Sequence, residues 1–171
     1  VQADTDLQGT VSDGGINFDV DGSTNDFMRI TTATSAAIQL KHPNPYTLAV
    51  VFKREGAVDD DNVIIGDDNT NKFIGFLTEE TVVLNGASVV FGTNTWEVDK
   101  KLAMVVTKAA DGDLLFFKNG VSVTIASGAT ASTATADFLV DFVGTLKDGT
   151  QQGNDKHFDG TMYEFILYTS A

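Results

Sequence analysis

Tyr46, Leu48, Val50 and Phe52 alternate with Thr47, Ala49, Val51 and Lys53. Apolar residues at every second position define a strand with one face in a core, because successive strand side chains point to opposite sides of a sheet. Leu102, Met104 and Val106 form a second such stripe, and Leu115 with Phe117 a third. Val105 and Phe116 make both parities apolar there, which predicts central strands covered on two sides. Further strands are expected at 14–19, 27–32, 63–66, 73–77, 81–84, 88–91, 121–126, 138–143 and 161–168. About a dozen short strands punctuated by Gly, Asn and Asp predict an all-β antiparallel sandwich or barrel.

The turns have their own chemistry. Asn85-Gly86 and Asn119-Gly120 each stand between apolar runs, where a two-residue type I′ hairpin needs positive φ at both central residues. Pro43 and Pro45 precede the Tyr46 strand and belong outside any ladder interior. The best helical candidate, residues 33–40, is too rich in Ser and Thr for more than a turn or two. The small-residue stretch 126–136 is expected to be a loop. With 171 residues and no repeat or linker, the chain predicts one domain over residues 1–171. Val1 in place of Met predicts a removed leader, processing or excision from a longer product.

Charge and composition narrow the partners. The 24 acidic side chains outnumber the 11 basic ones, for a net charge of −13. Such a field disfavours phosphate backbones and anionic lipid, so nucleic acid and membrane are not expected partners. No apolar run reaches the 18 or more residues of a membrane span. With no cysteine, neither a disulfide framework nor a thiolate nucleophile or metal site is available.

Candidate chemistry is sparse. Glu164 is the one carboxylate inside a strongly apolar strand, which predicts a buried structural Glu with a cationic or backbone partner. The other acids gather in turns, so the facing carboxylates of a glycoside hydrolase are not in evidence. An enzyme is not expected. His42 and His157 read as surface loop residues, although Asp155 and Asp159 flank the second. Calcium takes several hard oxygens from one loop. Asp59 and Asp61, Asp67, and Asp155 with Asp159 are the candidate ligands, each cluster reading equally as a solvated acidic turn. Trp96, in Thr93-Asn94-Thr95-Trp96-Glu97, suits either the closed end of the core or a sugar-stacking platform. Asn94, Asn69, Asn71 and Asp155 are the candidate hydroxyl readers beside it. Tyr163 is expected to be buried beside Phe165; Tyr46 fits either environment.

Taken in order, these segments resemble the laminin-G-like, concanavalin A-like jelly-roll family over nearly the whole chain. Phe18-Asp19-Val20-Asp21-Gly22 through Asp26-Phe27 resembles the family's opening Phe-Asp-Gly…Asp-Tyr. Tyr46-Thr47-Leu48 is similar to its Phe-Thr-Leu strand, and Phe117-Lys118-Asn119-Gly120-Val121 to its Tyr-x-Asn-Gly-x hairpin. Gly160 to Tyr168 resembles the closing strand, with Glu164 and Tyr168 on the family's Glu and Tyr, and Tyr163 in place of its Asp. The resemblance implies an antiparallel two-sheet jelly roll. It also implies a non-catalytic module for extracellular or cell-surface carbohydrate, with Ca²⁺ as the one cofactor to consider. The alternative is a structural virion protein, a capsid decoration or fibre component, assembled as a homo-oligomer or on a virion lattice.

Overall fold

The computed structural model describes residues 10–18, 27–30, 38–40, 43–55, 62–67, 72–84, 87–110, 113–128, 138–146 and 157–169. Among these every regular element is a strand. The first eight are β1 (Thr10–Ser12), β2 (Gly15–Phe18), β3 (Met28–Arg29), β4 (Ile38–Leu40), β5 (Tyr46–Arg54), β6 (Asn62–Gly66), β7 (Phe73–Phe76) and β8 (Thr81–Leu84). They are followed by β9 (Ala87–Val90), β10 (Lys101–Lys108), β11 (Leu114–Lys118), β12 (Val121–Val123), β13 (Ser127–Gly128), β14 (Phe138–Val140), β15 (Phe142–Val143) and β16 (Gly160–Thr169).

Two seven-stranded sheets run β1-β2-β16-β5-β10-β11-β12 and β13-β9-β8-β7-β6-β15-β3, with a two-stranded β14-β4 ribbon beside them. Every pairing between named strands is antiparallel. This is an all-β sandwich, one of the two architectures the alternation predicts, and it has the jelly-roll form that the resemblance implies. Its core takes Leu48, Val50 and Phe52 from β5, Met104 and Val106 from β10, and Ile74 and Phe76 from β7. The 33–40 segment gives no helix where it is described, since Ile38–Leu40 pairs with β14. Ser127–Gly128 pairs with β9, inside the stretch expected as loop. The Asn119-Gly120 hairpin joins β11 to β12 with φ of +50° and +80°, the two positive values a type I′ turn requires. Asn85-Gly86 lies outside the described residues.

Trp96 belongs to the core. It is 0% exposed, and its ring lies 5.4 Å from Phe91, 5.9 Å from Phe76 and 6.5 Å from Phe116. Beside it Arg54, 1% exposed, donates through Nη2 to the Trp96 carbonyl and covers the Phe76 ring at 4.5 Å. Burial pushes the guanidinium down to about 10, against an upward pull from Glu79. The sequence reading assigned no residue to this position on the core face of β5. Arg54 fits because its planar fork can bond a carbonyl while its flat face rests on an aromatic ring.

The closing strand carries an irregularity that sets the outer surface. Met162 pairs with Phe52 and Glu164 with Val51, so Tyr163 is an extra residue in β16. One inserted residue inverts the parity of everything after it. Glu164 is therefore exposed and not a buried structural carboxylate, while Phe165 packs on the core. Tyr163 is not buried beside Phe165 either. It lies half-buried on the outer face beneath Lys101, whose Nζ is 3.6 Å from the ring centroid.

Candidate functional site

The register of the first sheet dictates its outer face. Across β16, β5, β10 and β11 the residues that alternate with the buried set fall into rows. The first is Tyr168–Thr47–Thr107–Leu115 and the second Ile166–Ala49–Val105–Phe117. Next come Glu164–Val51–Ala103 and, at the far end, Thr161–Lys53–Lys101. The sequence stripes led us to expect both sides of β10 and β11 to be covered. Instead Leu115 is 54% exposed, Ile166 44% and Tyr168 68%. The outer face of the second sheet differs, because Val63, Phe73 and Val83 are buried there against Leu146.

At the Tyr168 end this face runs into a cleft of about 460 Å³. Thr47, Thr107, Asp113, Leu115 and Tyr168 line it, together with Tyr46. The exposed Tyr168 ring supplies an apolar face, and the threonine hydroxyls and the Asp113 carboxylate supply donors and acceptors. Tyr46 is 5% exposed and its hydroxyl has no hydrogen-bond partner among the described residues. Burial raises its phenol above the ordinary value of about 10. The folded chain then holds this proton where the unfolded chain has lost it, so stability falls as pH climbs above about 10. Tyr46→Phe is expected to remove that alkaline loss and to raise stability at neutral pH by about 1 kcal/mol, since a buried unpaired hydroxyl costs roughly 1–3 kcal/mol. Urea unfolding at pH 7 and pH 10.5 checks both effects.

At the opposite end, Lys53 bonds Glu55 at 2.7 Å and lies 3.9 Å from Asp99. The Glu55 hydrogen bond raises the lysine's pKa, but the group is open to solvent and this pair is a surface one. A separate groove of about 320 Å³ lies along the edge of the sandwich among Ile16, Phe18, Met28, Val143 and Met162. Its lining is almost wholly apolar.

Several sequence candidates are dispersed. Trp96 offers no face to a ligand, which corrects its reading as a stacking platform; its alternative reading as a core residue holds. Asn94 is exposed in a turn at φ +55°, away from the Tyr168 cleft's lining. Asp67 is 1% exposed, and its carboxylate accepts from the Leu139 N–H at 2.9 Å. Asp159 gives its backbone N–H to Asn62 Oδ1 at 3.2 Å. Asn62 begins β6 and Asp67 follows its end, about 16 Å along the chain at roughly 3.3 Å per residue, so Asp159 and Asp67 are tied to opposite ends of this strand. Among the described residues no three His, Asp or Glu side chains gather as a metal site. Asp59, Asp61, Asn69, Asn71, Asp155 and His42 lie outside the described residues. Sequence reasoning missed Thr47, Thr107, Asp113 and Leu115. The available signal was that the outward parity of β5, β10 and β16 carries Tyr, Ile, Val and Ala where a solvated face carries charge.

No family model and no curated protein sequence matches the chain. Among solved structures, a Trypanosoma rangeli sialidase complex matches 74% of this chain and 20% of its own, at 18% identity and TM-score 0.49. An alginate lyase, AlgAT5 of polysaccharide lyase family 7, matches 88% of this chain and 73% of its own, at 13% identity and TM-score 0.44. Mouse laminin α1 domains LG4-5 match 80% of this chain and 40% of their own, at 13% identity and TM-score 0.42. The chain thus spans a fifth of the sialidase chain and two-fifths of the laminin pair.

Proposed function

We propose that the chain is a non-catalytic module that binds extracellular or cell-surface carbohydrate in the Tyr168 cleft. The observation that carries this is an exposed tyrosine ring at a largely apolar cleft, whose polar lining residues are Thr47, Thr107, Thr169, Lys108 and Asp113. A sugar ring offers C–H groups on its faces and hydroxyls at its rim, and such a cleft answers both kinds of group. The surrounding net charge of −13 favours neutral over acidic glycans. Asp113 is the single carboxylate among the described residues lining the cleft, whereas general acid–base hydrolysis of a glycoside uses two.

A glycan array probed with the purified chain, in calcium and in chelator, tests the reading. Binding kept in chelator supports the cleft, and binding lost in chelator moves the site to the acidic turns. No binding in either arm rejects carbohydrate recognition. Tyr168→Ala is expected to weaken cleft binding about tenfold, which is about 1.4 kcal/mol. Its unfolding free energy is expected to stay within about 0.5 kcal/mol of the parent, as for other exposed positions.

The second reading, a structural component of a virus particle, draws on the open apolar face of the first sheet. It predicts assembly of the purified chain into species larger than a dimer.

A further inference from the structure

We infer that the outer face of the first sheet is a self-association surface, and that its occupant is a second copy of this chain. The centre of the face is the row Ile166–Ala49–Val105–Phe117, flanked by Val51 and Leu115. The equivalent face of the second sheet is already closed by the cluster around Leu146, so the two outer faces are not alike. Exposed single apolar residues are ordinary, but a contiguous patch across four strands marks a contact surface.

Two observations select a second copy. The first is charge. In a chain of 24 acidic residues the four rows hold a single carboxylate, Glu164, together with Lys53 and Lys101. Two copies of a −13 chain repel at most orientations, and among the described residues the approach that sets these faces together brings few acids into contact, Glu55 and Asp99 at its Lys53 end being already paired with Lys53. Because Glu164 and Lys101 share the face, a two-fold pairing can bring one copy's carboxylate toward the other's ammonium, as an isologous interface requires self-complementarity. The second is size. Four strands at about 4.8 Å spacing and the seven residues from Thr47 to Lys53 at about 3.3 Å give a patch of roughly 20 by 20 Å. That projected area is about half the accessible area of about 800 Å² that each partner buries in a standard interface, the size of a weak, reversible contact.

The Tyr168 cleft reaches past the end of the sheet to Pro45, Ala109 and Asp113. A ligand can enter from there while the central rows are covered. Ile166, Ala49, Val105 and Phe117 lie outside the cleft's lining, so association through this row is tested separately from carbohydrate binding.

Analytical ultracentrifugation from 1 to 100 µM, without any glycan, tests the inference. The parent chain is expected to shift from monomer to dimer across that range. Ile166→Glu and Leu115→Lys are each expected to raise the dimer dissociation constant at least tenfold with an unchanged circular dichroism spectrum. Val11→Glu, at a position 85% exposed but lining the separate edge groove, is expected to leave the dimer intact. A parent chain that is monomeric at 100 µM overturns the proposal. So does a dimer that survives both folded face variants, or one that Val11→Glu dissociates as strongly. Should either face variant fail to fold, the readout passes to Lys101→Glu. This exposed substitution sets like charges across the interface, and it too must weaken the dimer if the face is the contact. Glycan binding retained by a monomeric Ile166→Glu chain, whose substitution lies outside the cleft's lining, separates this surface from the cleft.

Discussion

Trp96→Ala is expected to lower the unfolding free energy by about 3–5 kcal/mol, the range for deleting a large aromatic from a packed core. The indole is fully buried among Phe76, Phe91 and Phe116, so its removal leaves a cavity that three neighbouring rings line. The loss reaches further through the backbone. Arg54 donates to the Trp96 carbonyl, and the Trp96 N–H bonds the Glu79 carbonyl at 2.7 Å. A turn that shifts into the cavity weakens both, and a buried guanidinium that loses its acceptor costs more than the bond itself contributed. Urea denaturation measures the change. A Trp96→Ala chain of parental stability that no longer binds glycan would show that the ring serves a ligand instead.

Gly160→Ala is expected to cost about 2–6 kcal/mol and to disturb the whole closing strand. Gly160 opens β16 at φ +133°, and a Cβ there would lie 2.1 Å from the Lys53 carbonyl oxygen. The backbone strain accounts for about 1–3 kcal/mol and the steric overlap for about another 1–3. The contact is with backbone of β5, the strand on which β16 builds most of its ladder, so the neighbour cannot rotate away. Gly120→Ala is the control. It also has positive φ, +80°, but open space around its Cβ position, and about 1–2 kcal/mol is expected from conformation alone. Thermal unfolding of the two variants side by side separates crowding from φ. Equal losses would mean that the close approach at Gly160 relaxes at little cost.

Much of the architecture was written in local pattern. The alternation from Tyr46 to Arg54 set the parity of β5, and the Asn119-Gly120 pair set a hairpin. Both depend on residues close in the chain, where side-chain period and allowed φ act directly. The site was less legible. Trp96 stands in a polar stretch that reads like a loop, and its burial depends on Phe76, Phe91 and Phe116 arriving from three other segments. Arg54 reads as the charged end of a strand, yet the Trp96 carbonyl and the Phe76 ring draw it inward.

The closing strand shows where the boundary falls. Its composition alone identified a strand from about Thr161 to Tyr168. Which of its residues faced the core was decided by the extra residue at Tyr163, which pairs with nothing across from it and inverts the parity beyond. A single sequence holds the period of a strand but not the point where its partner's register slips, because that point is set by β5. Coverage is likewise a tertiary property. The apolar residues of both parities in β10 and β11 announced two covered faces, whereas among the described residues it is the outer face of the second sheet that is buried, against Leu146. The Tyr168 cleft and the open face beside it exist because β5, β16 and the consecutive pair β10–β11, far apart in sequence, were laid side by side, bringing Thr47, Thr107, Leu115 and Tyr168 into one row.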